Sequence, residues 1–117
     1  MATVYDYFQR ALRREPAVLA ADPVTVDDHS AAFDFQVRSS GTIHKANYRC
    51  TSCVTLMALC QHASELMCGR NVADALALTP DDLFALHPEV PSLHRSRAEL
   101  VVRAIQQAVN QLRRSTA

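Results

Sequence analysis

AAFDFQVRSSGTIHKANYRC, the stretch from Ala31 to Cys50, changes the period of the chain and with it the class of fold the chain can adopt. Phe33, Phe35 and Val37 alternate with Asp34, Gln36 and Arg38, the two-residue repeat of a strand with one buried face. Ser39-Ser40-Gly41 offers turn chemistry, with glycine free to take the positive φ that other residues resist. Beyond it, Ala46, Tyr48 and Cys50 fall on one face and Asn47 and Arg49 on the other, so the two runs predict an antiparallel hairpin. Upstream, the β-branched Val24, Thr25 and Val26 follow Pro23 and predict a short third strand.

Helical periods flank this hairpin on both sides. Thr3 and Asp6 have the spacing of an N-cap and an acidic N3 residue, followed by Val4, Tyr7, Phe8, Ala11 and Leu12 on one face. Glu15-Pro16 is expected to end that helix, because the residue before proline is driven out of the α region. After Cys53 the apolar positions Leu56, Leu59, Cys60, Ala63, Leu66 and Met67 predict a helix from about Val54 to Cys68, with Gly69 as its C′ residue. Asn71 with Asp74, and Thr79 with Pro80 and Asp82, mark two short helices, and His87-Pro88 closes the second. Ser96 and Glu99 resemble a capping box ahead of a long apolar stripe, Ala98, Val101, Val102, Ile105, Ala108, Val109 and Leu112. The expected class is α+β: a small antiparallel sheet of two or three strands, helices packed on one face, and a long C-terminal helix.

Composition narrows the function. With 117 residues, 49% of them hydrophobic, the chain is expected to form one domain over residues 1–117. Twelve basic and twelve acidic side chains cancel, so no net field recruits nucleic acid or an anionic membrane. Arg95, Arg97, Arg103, Arg113 and Arg114 read as a solvated polar face, without the aromatic interleaving of a nucleic-acid surface. No apolar run approaches the roughly 20 residues needed to span a bilayer. Residues 1–14 lack the apolar core of a secretory signal, so a cytoplasmic protein is expected.

Chemistry gathers at the thiols. Cys50, Cys53, Cys60 and Cys68 crowd into one short segment, a pattern that in a reducing compartment favours metal or thiol chemistry over a disulfide framework. Cys50-x-x-Cys53 lies where the second hairpin strand gives way to a helix, so one turn of backbone can aim both sulfurs at a common point near a helix N-terminus. Zinc and iron favour sulfur and imidazole nitrogen, and His29, ahead of the first hairpin strand, and His94, ahead of the last helix, are available. The hairpin returns the chain to His29, whereas spacing alone does not locate His94. Cys60, on the apolar face of its helix, and Cys68, at its end, read as packing residues, and His44 and His62 as facing solvent or a local partner. A redox dithiol of Cys50 and Cys53 is weaker, because it lacks a βαβ setting.

These segments also carry a resemblance. Gly41-Thr-Ile-His-Lys-Ala-Asn-Tyr-Arg-Cys-Thr-Ser-Cys53 resembles the strand leading to the central ligand cysteine of the NifU/IscU-type scaffolds of iron–sulfur cluster assembly. Cys68-Gly69-Arg70-Asn71-Val72-Ala73-Asp74-Ala75 is similar to that family's K-G-K-S-L-D-E-A stretch, and Leu93-His94-Arg95-Ser96 to its L-H-C-S. The likeness covers most of residues 23–110. It implies that Cys53 takes the place of the middle cysteine and His94 that of the family histidine, with His29 where the first cysteine stands. Ala31 replaces the family aspartate and Arg95 the third cysteine, and a guanidinium has no lone pair for a metal. The family's chaperone-recognition stretch is represented by Glu89-Val90-Pro91-Ser92.

The resemblance implies a scaffold or carrier without turnover of its own, holding iron or an iron–sulfur cluster, or zinc, through Cys53, His94, Cys50 and His29. It implies a cysteine desulfurase and apo-protein acceptors as partners. The alternative is a relative that kept the fold and lost the cluster, binding zinc or no metal and acting as a regulatory or protein-interaction module, with Arg95 as a cation for an anion or a partner's carboxylate.

Overall fold

The computed structural model describes residues 2–14 and 22–115. Along the chain run α1 (Val4–Arg13), β1 (Val24–Val26), β2 (His29–Val37), β3 (Ile43–Cys50), α2 (Val54–Met67), α3 (Val72–Ala77), α4 (Pro80–Ala85), a 3-10 turn (Ser92–His94) and α5 (Arg95–Ser115). The strands form one antiparallel sheet in the order β1-β2-β3. The architecture is α+β, as the periods of the sequence predict.

The hairpin forms as its side chains dictate, with Phe33 opposite Tyr48 and Ala31 opposite Cys50. Gly41 closes it at φ 88°, donating its N–H to Arg38 O at 2.8 Å while Arg38 N donates to Thr42 O at 2.9 Å. The alternation slips once. Gln36 pairs with Lys45 but Val37 with Ile43, so His44 is an extra residue and both Ile43 and Ala46 turn inward. β2 begins at His29, two residues earlier than the Phe-Val alternation indicates. Asp27 at φ 54° makes the tight link to β1, and Val26 pairs directly with His29. His29 is therefore a strand residue.

α2 and α5 cover the face formed by Phe33, Phe35, Ile43, Ala46 and Tyr48. From α2 the buried side chains include Leu56, Leu59, Cys60, Ala63 and Met67, and from α5 Ala98, Val101, Val102, Ile105, Ala108 and Val109. Burial of a side chain of the size of Leu59 or Ile105 contributes about 1.5–3 kcal/mol. Gly69, at φ 87°, ends the α2 segment and lets the chain return along the β3 edge: Gly69 N donates to Ile43 O at 2.9 Å and Ile43 N to Arg70 O at 2.7 Å. Cys68 is exposed on that return, so it is not a packing residue.

The caps are those expected. Thr3 and Asp6 make a reciprocal capping box, Thr79 and Asp82 a second, and Asn71 Oδ1 accepts from Asp74 N at 2.8 Å. Two details differ. Leu12 is exposed, because α1 packs mainly against α2 and buries only the narrow face of Tyr7 and Ala11. α5 begins at Arg95, continuing directly from the 3-10 turn; Ser96 lies inside it, and its Oγ accepts from Arg97 Nη1 at 3.3 Å instead of capping. Glu15-Pro16, expected to end α1, lies outside the described residues.

A buried imidazole joins α1 and α2 to the turn after α4. His87 is wholly inaccessible, and its Nε2 lies 2.7 Å from His62 Nδ1 while its Nδ1 lies 3.2 Å from Glu89 Oε1. Tyr7 stacks on His62 with ring centroids 4.1 Å apart and meets His87 edge-on. Arg10 and Glu65 add an ion pair at 2.7 Å.

Candidate functional site

The corner between β3 and α2 is built by Thr51, Ser52 and Cys53. Cys53 is the N-cap of α2, extended at φ −148° and ψ 124°, and no side chain caps the helix. Its carbonyl accepts from Met57 N at 2.8 Å, so the helix begins immediately beyond the half-buried thiol. The unpaired N–H groups of a first helical turn give this end of α2 a positive character.

Two threonines bring two histidines to this corner. Thr51 N donates to Ser30 O at 3.0 Å, and Thr51 Oγ1 lies 3.1 Å from His29 Nδ1. Thr55, in the first turn of α2, lies with its Oγ1 3.2 Å from His94 Nδ1. The two imidazoles are thus tethered two residues before and two residues after Cys53. His94, which spacing alone does not locate, is placed by the 3-10 turn that leads into α5. Its Nε2 has no hydrogen-bond partner among the described residues.

His29 is differently committed. Arg97 Nη2 lies 3.2 Å from His29 Nε2, and a guanidinium only donates. Nε2 therefore accepts, and Nδ1–H donates to Thr51 Oγ1. The lone pair that would meet a metal is already engaged. Arg97 also has a buried Nε without a hydrogen-bond partner, so its side chain is held among protein atoms and does not belong to a solvated face.

Cys50 ends β3 three residues before Cys53, and both thiols are half-buried. Cys50 continues the inward alternation of Ala46 and Tyr48 and packs against the core to which Cys60, fully buried on α2, belongs. The influence of the Cys60 thiol, ahead of a smaller effect of the Arg14 guanidinium, lowers the Cys50 pKa against the opposing effect of burial. Burial, followed by the influence of Cys50, raises the Cys60 thiol well above its ordinary range. Arg14 lies over the Tyr48 ring, 3.6 Å from its centroid.

Arg95 is directed away from the corner. It forms an ion pair with Asp81 of α4 and lies over the Phe84 ring, 5.7 Å from the centroid. The cation at the corner is Arg97, which the sequence reading assigned to solvent. Among the described residues no three His, Cys, Asp or Glu side chains converge so that they could hold a metal. Cys53, His94 and His29 thus share one corner without forming a closed coordination shell, and the donor set does not fit a resident metal held by these residues alone.

A family model described as NifU-like N terminal domain matches residues 19–117, covering the sheet, α2 to α5 and the whole of this corner. α1 precedes the matched region. No curated protein matches the chain.

Proposed function

We propose, from the premise that the chain belongs to the family of NifU-like N-terminal domains, that it is a single-domain carrier or scaffold for iron and sulfur in cluster assembly, with Cys53 as its principal ligand. The family assigns the chain to iron–sulfur cluster scaffolding in general, and the ligand set is our own reading. His94 contributes its free Nε2, and His29 joins once Arg97 releases it. Cys50, turned with Ala46 and Tyr48 towards the core, is left outside this set. The cluster is cargo, received and passed on without turnover, with a cysteine desulfurase as sulfur donor and apo-proteins as recipients. No helix among the described residues is long and apolar enough to cross a membrane, and a cytoplasmic location follows the same reading.

The observation supporting this reading is the pair of threonine tethers, two residues before and two residues after Cys53, that each hold an imidazole. With Cys53 and His94 available and His29 engaged by Arg97, the remaining coordination comes from sulfide, solvent or a recipient's own thiol. Such an open site suits temporary holding better than permanent binding. Anaerobic reconstitution with ferrous iron and sulfide tests it. Visible absorption with bound iron is expected, lost in Cys53→Ser, reduced in His94→Ala and largely kept in Cys50→Ser. Protein that stays colourless, or colour indifferent to Cys53, sinks the assignment.

One observation favours a second reading, a metal-free or zinc-binding interaction module. Arg97 occupies His29 Nε2, as a cation suited to a partner's carboxylate would. Elemental analysis of protein purified without oxygen separates the readings: iron supports the first, and zinc alone or no metal, with stability unchanged by chelator, supports the second.

A further inference from the structure

A cavity of about 190 Å³ opens where the middle of β3, the Gln61 and Ser64 side of α2 and Arg14 at the end of α1 meet. None of its lining residues belongs to the Cys53 corner. We propose that this cavity binds a small polyvalent oxyanion, a phosphate or a short polycarboxylate, gripped by Arg14 and Lys45. The site uses neither Cys53 nor a metal and stands whether or not the carrier reading holds.

Charge sets the class of ligand. Among the described residues that line the cavity, Arg14 and Lys45 are cationic and none is acidic. Neither cation has an ion pair among the described residues. Glu65, the residue after Ser64, is already matched: it pairs with Arg10 at 2.7 Å and accepts from Gln61 Nε2 at 3.0 Å. A concave surface of one sign concentrates ions of the other.

The fold holds Arg14 with its donors open. Its Cζ lies 3.6 Å from the Tyr48 centroid, closer than an N–H aimed at the ring would bring that carbon. The guanidinium plane therefore lies against the ring face, and its N–H groups project sideways. Tyr48 does not neutralise it, because burial, the largest influence on the phenol, raises its pKa. Its hydroxyl donates instead to Gln61 Oε1 at 2.8 Å. Tyr48 at one end and Glu65 at the other fix the Gln61 amide and leave one of its N–H groups free. The Asn47 side chain, also lining the cavity, has no hydrogen-bond partner among the described residues. The Arg14 fork suits two oxygens of one group, and the exposed Lys45 adds a point charge for another. Two cations and two amides call for several oxygens, which a halide does not offer.

The test titrates the reduced, metal-free full chain in low-salt buffer with inorganic phosphate in one arm and citrate in the other, followed by proton–nitrogen correlation spectra. Saturable shifts are expected in the side-chain amides of Asn47 and Gln61 and in Arg14 Nε–H, with the His29 and His94 rings unmoved. This pattern in one arm names the ligand class, and in both arms it supports the shared chemistry. Arg14→Gln should weaken binding about tenfold, the usual worth of a hydrogen bond to a charged group. Lys45→Gln should weaken it several-fold, and Lys45→Arg should restore it. Should Arg14→Gln fail to fold, since Arg14 covers the Tyr48 ring, the two variants at the exposed Lys45 decide the matter. Added sodium chloride should weaken binding by screening. No saturable shift in either arm, shifts centred on other residues, or unchanged affinity in either glutamine variant would overturn the proposal.

Discussion

Arg97 reaches from the first turn of α5 to His29 Nε2 and meets it as a donor. Removing the guanidinium while keeping an apolar stem should free that nitrogen. Arg97→Met is expected to bind cobalt(II) several-fold more tightly than the parent chain, read from the d–d absorption during titration. Equal affinity would show that Arg97 does not compete with metal. Tyr48 offers a second measurement: its hydroxyl donates to Gln61 Oε1 at 2.8 Å, and burial, the largest influence on it, raises its pKa so that the phenol keeps its proton. Tyr48→Phe should lower stability by about 1 kcal/mol in urea unfolding, the usual size of one partly buried hydrogen bond. At this scale the sequence named Cys53, His94 and His29 as candidates through residue type and likeness. It did not name Thr51, Thr55 or Arg97. Their contacts join residues 22, 39 and 68 positions apart, and no local period records which side chain a folded chain will bring to another. Cys50 shows a related limit: strand alternation turns it with Ala46 and Tyr48 towards the core, a direction that C-x-x-C spacing does not give.

The interface of α1 with α2 and the turn after α4 carries a pH dependence. His62 has a pKa lowered from its ordinary 6.5, first by burial and then by the neighbouring His87 and Arg10, with Glu65 opposing them. Tyr7 stacks on its ring, and Glu89 faces the far nitrogen of His87. The lowered pKa means that the unfolded chain binds a proton that the folded chain resists. Stability from this interface is therefore complete above the unfolded value near 6.5 and is lost as pH falls from there through the lower folded value. The urea midpoint should decline between pH 7 and pH 5, and His62→Gln should flatten that decline; an equal slope in the variant would exclude His62 as its source. Thr79 tests another boundary, since its capping box starts the helix whose Asp81 holds Arg95. Thr79→Ala should cost about 1 kcal/mol, measured by thermal or urea unfolding. Caps of this kind were legible because donor and acceptor lie three residues apart in sequence. The start of α5 was not. Ser96-x-x-Glu99 has the right spacing, but the preceding 3-10 turn feeds straight into the helix and Ser96 Oγ accepts from Arg97 instead.

Across the molecule, the apolar residues that carry the architecture and the polar residues of the corner are largely separate sets. Phe33, Leu59 and Ile105 are enclosed between sheet and helices, whereas Cys53, His29 and His94 are only half-buried at the edge where β3 meets α2. This separation explains why the fold class could be read from periodicity while the ligand geometry could not: burial imposes a repeat on a strand or helix, and a site at an edge imposes none. It also predicts how variants divide. Leu59→Ala should lower stability by about 2–5 kcal/mol by leaving a cavity under α2. Cys53→Ser, at a half-buried thiol on the border of the core, and His94→Ala, outside it, should each stay within about 1 kcal/mol of the parent chain in urea unfolding. The comparison decides the meaning of a colourless reconstitution. If Cys53→Ser keeps the parent midpoint and binds no iron, the lost sulfur was a ligand. If its midpoint falls as far as that of Leu59→Ala, Cys53 is part of the packing and the loss of colour reports a damaged fold.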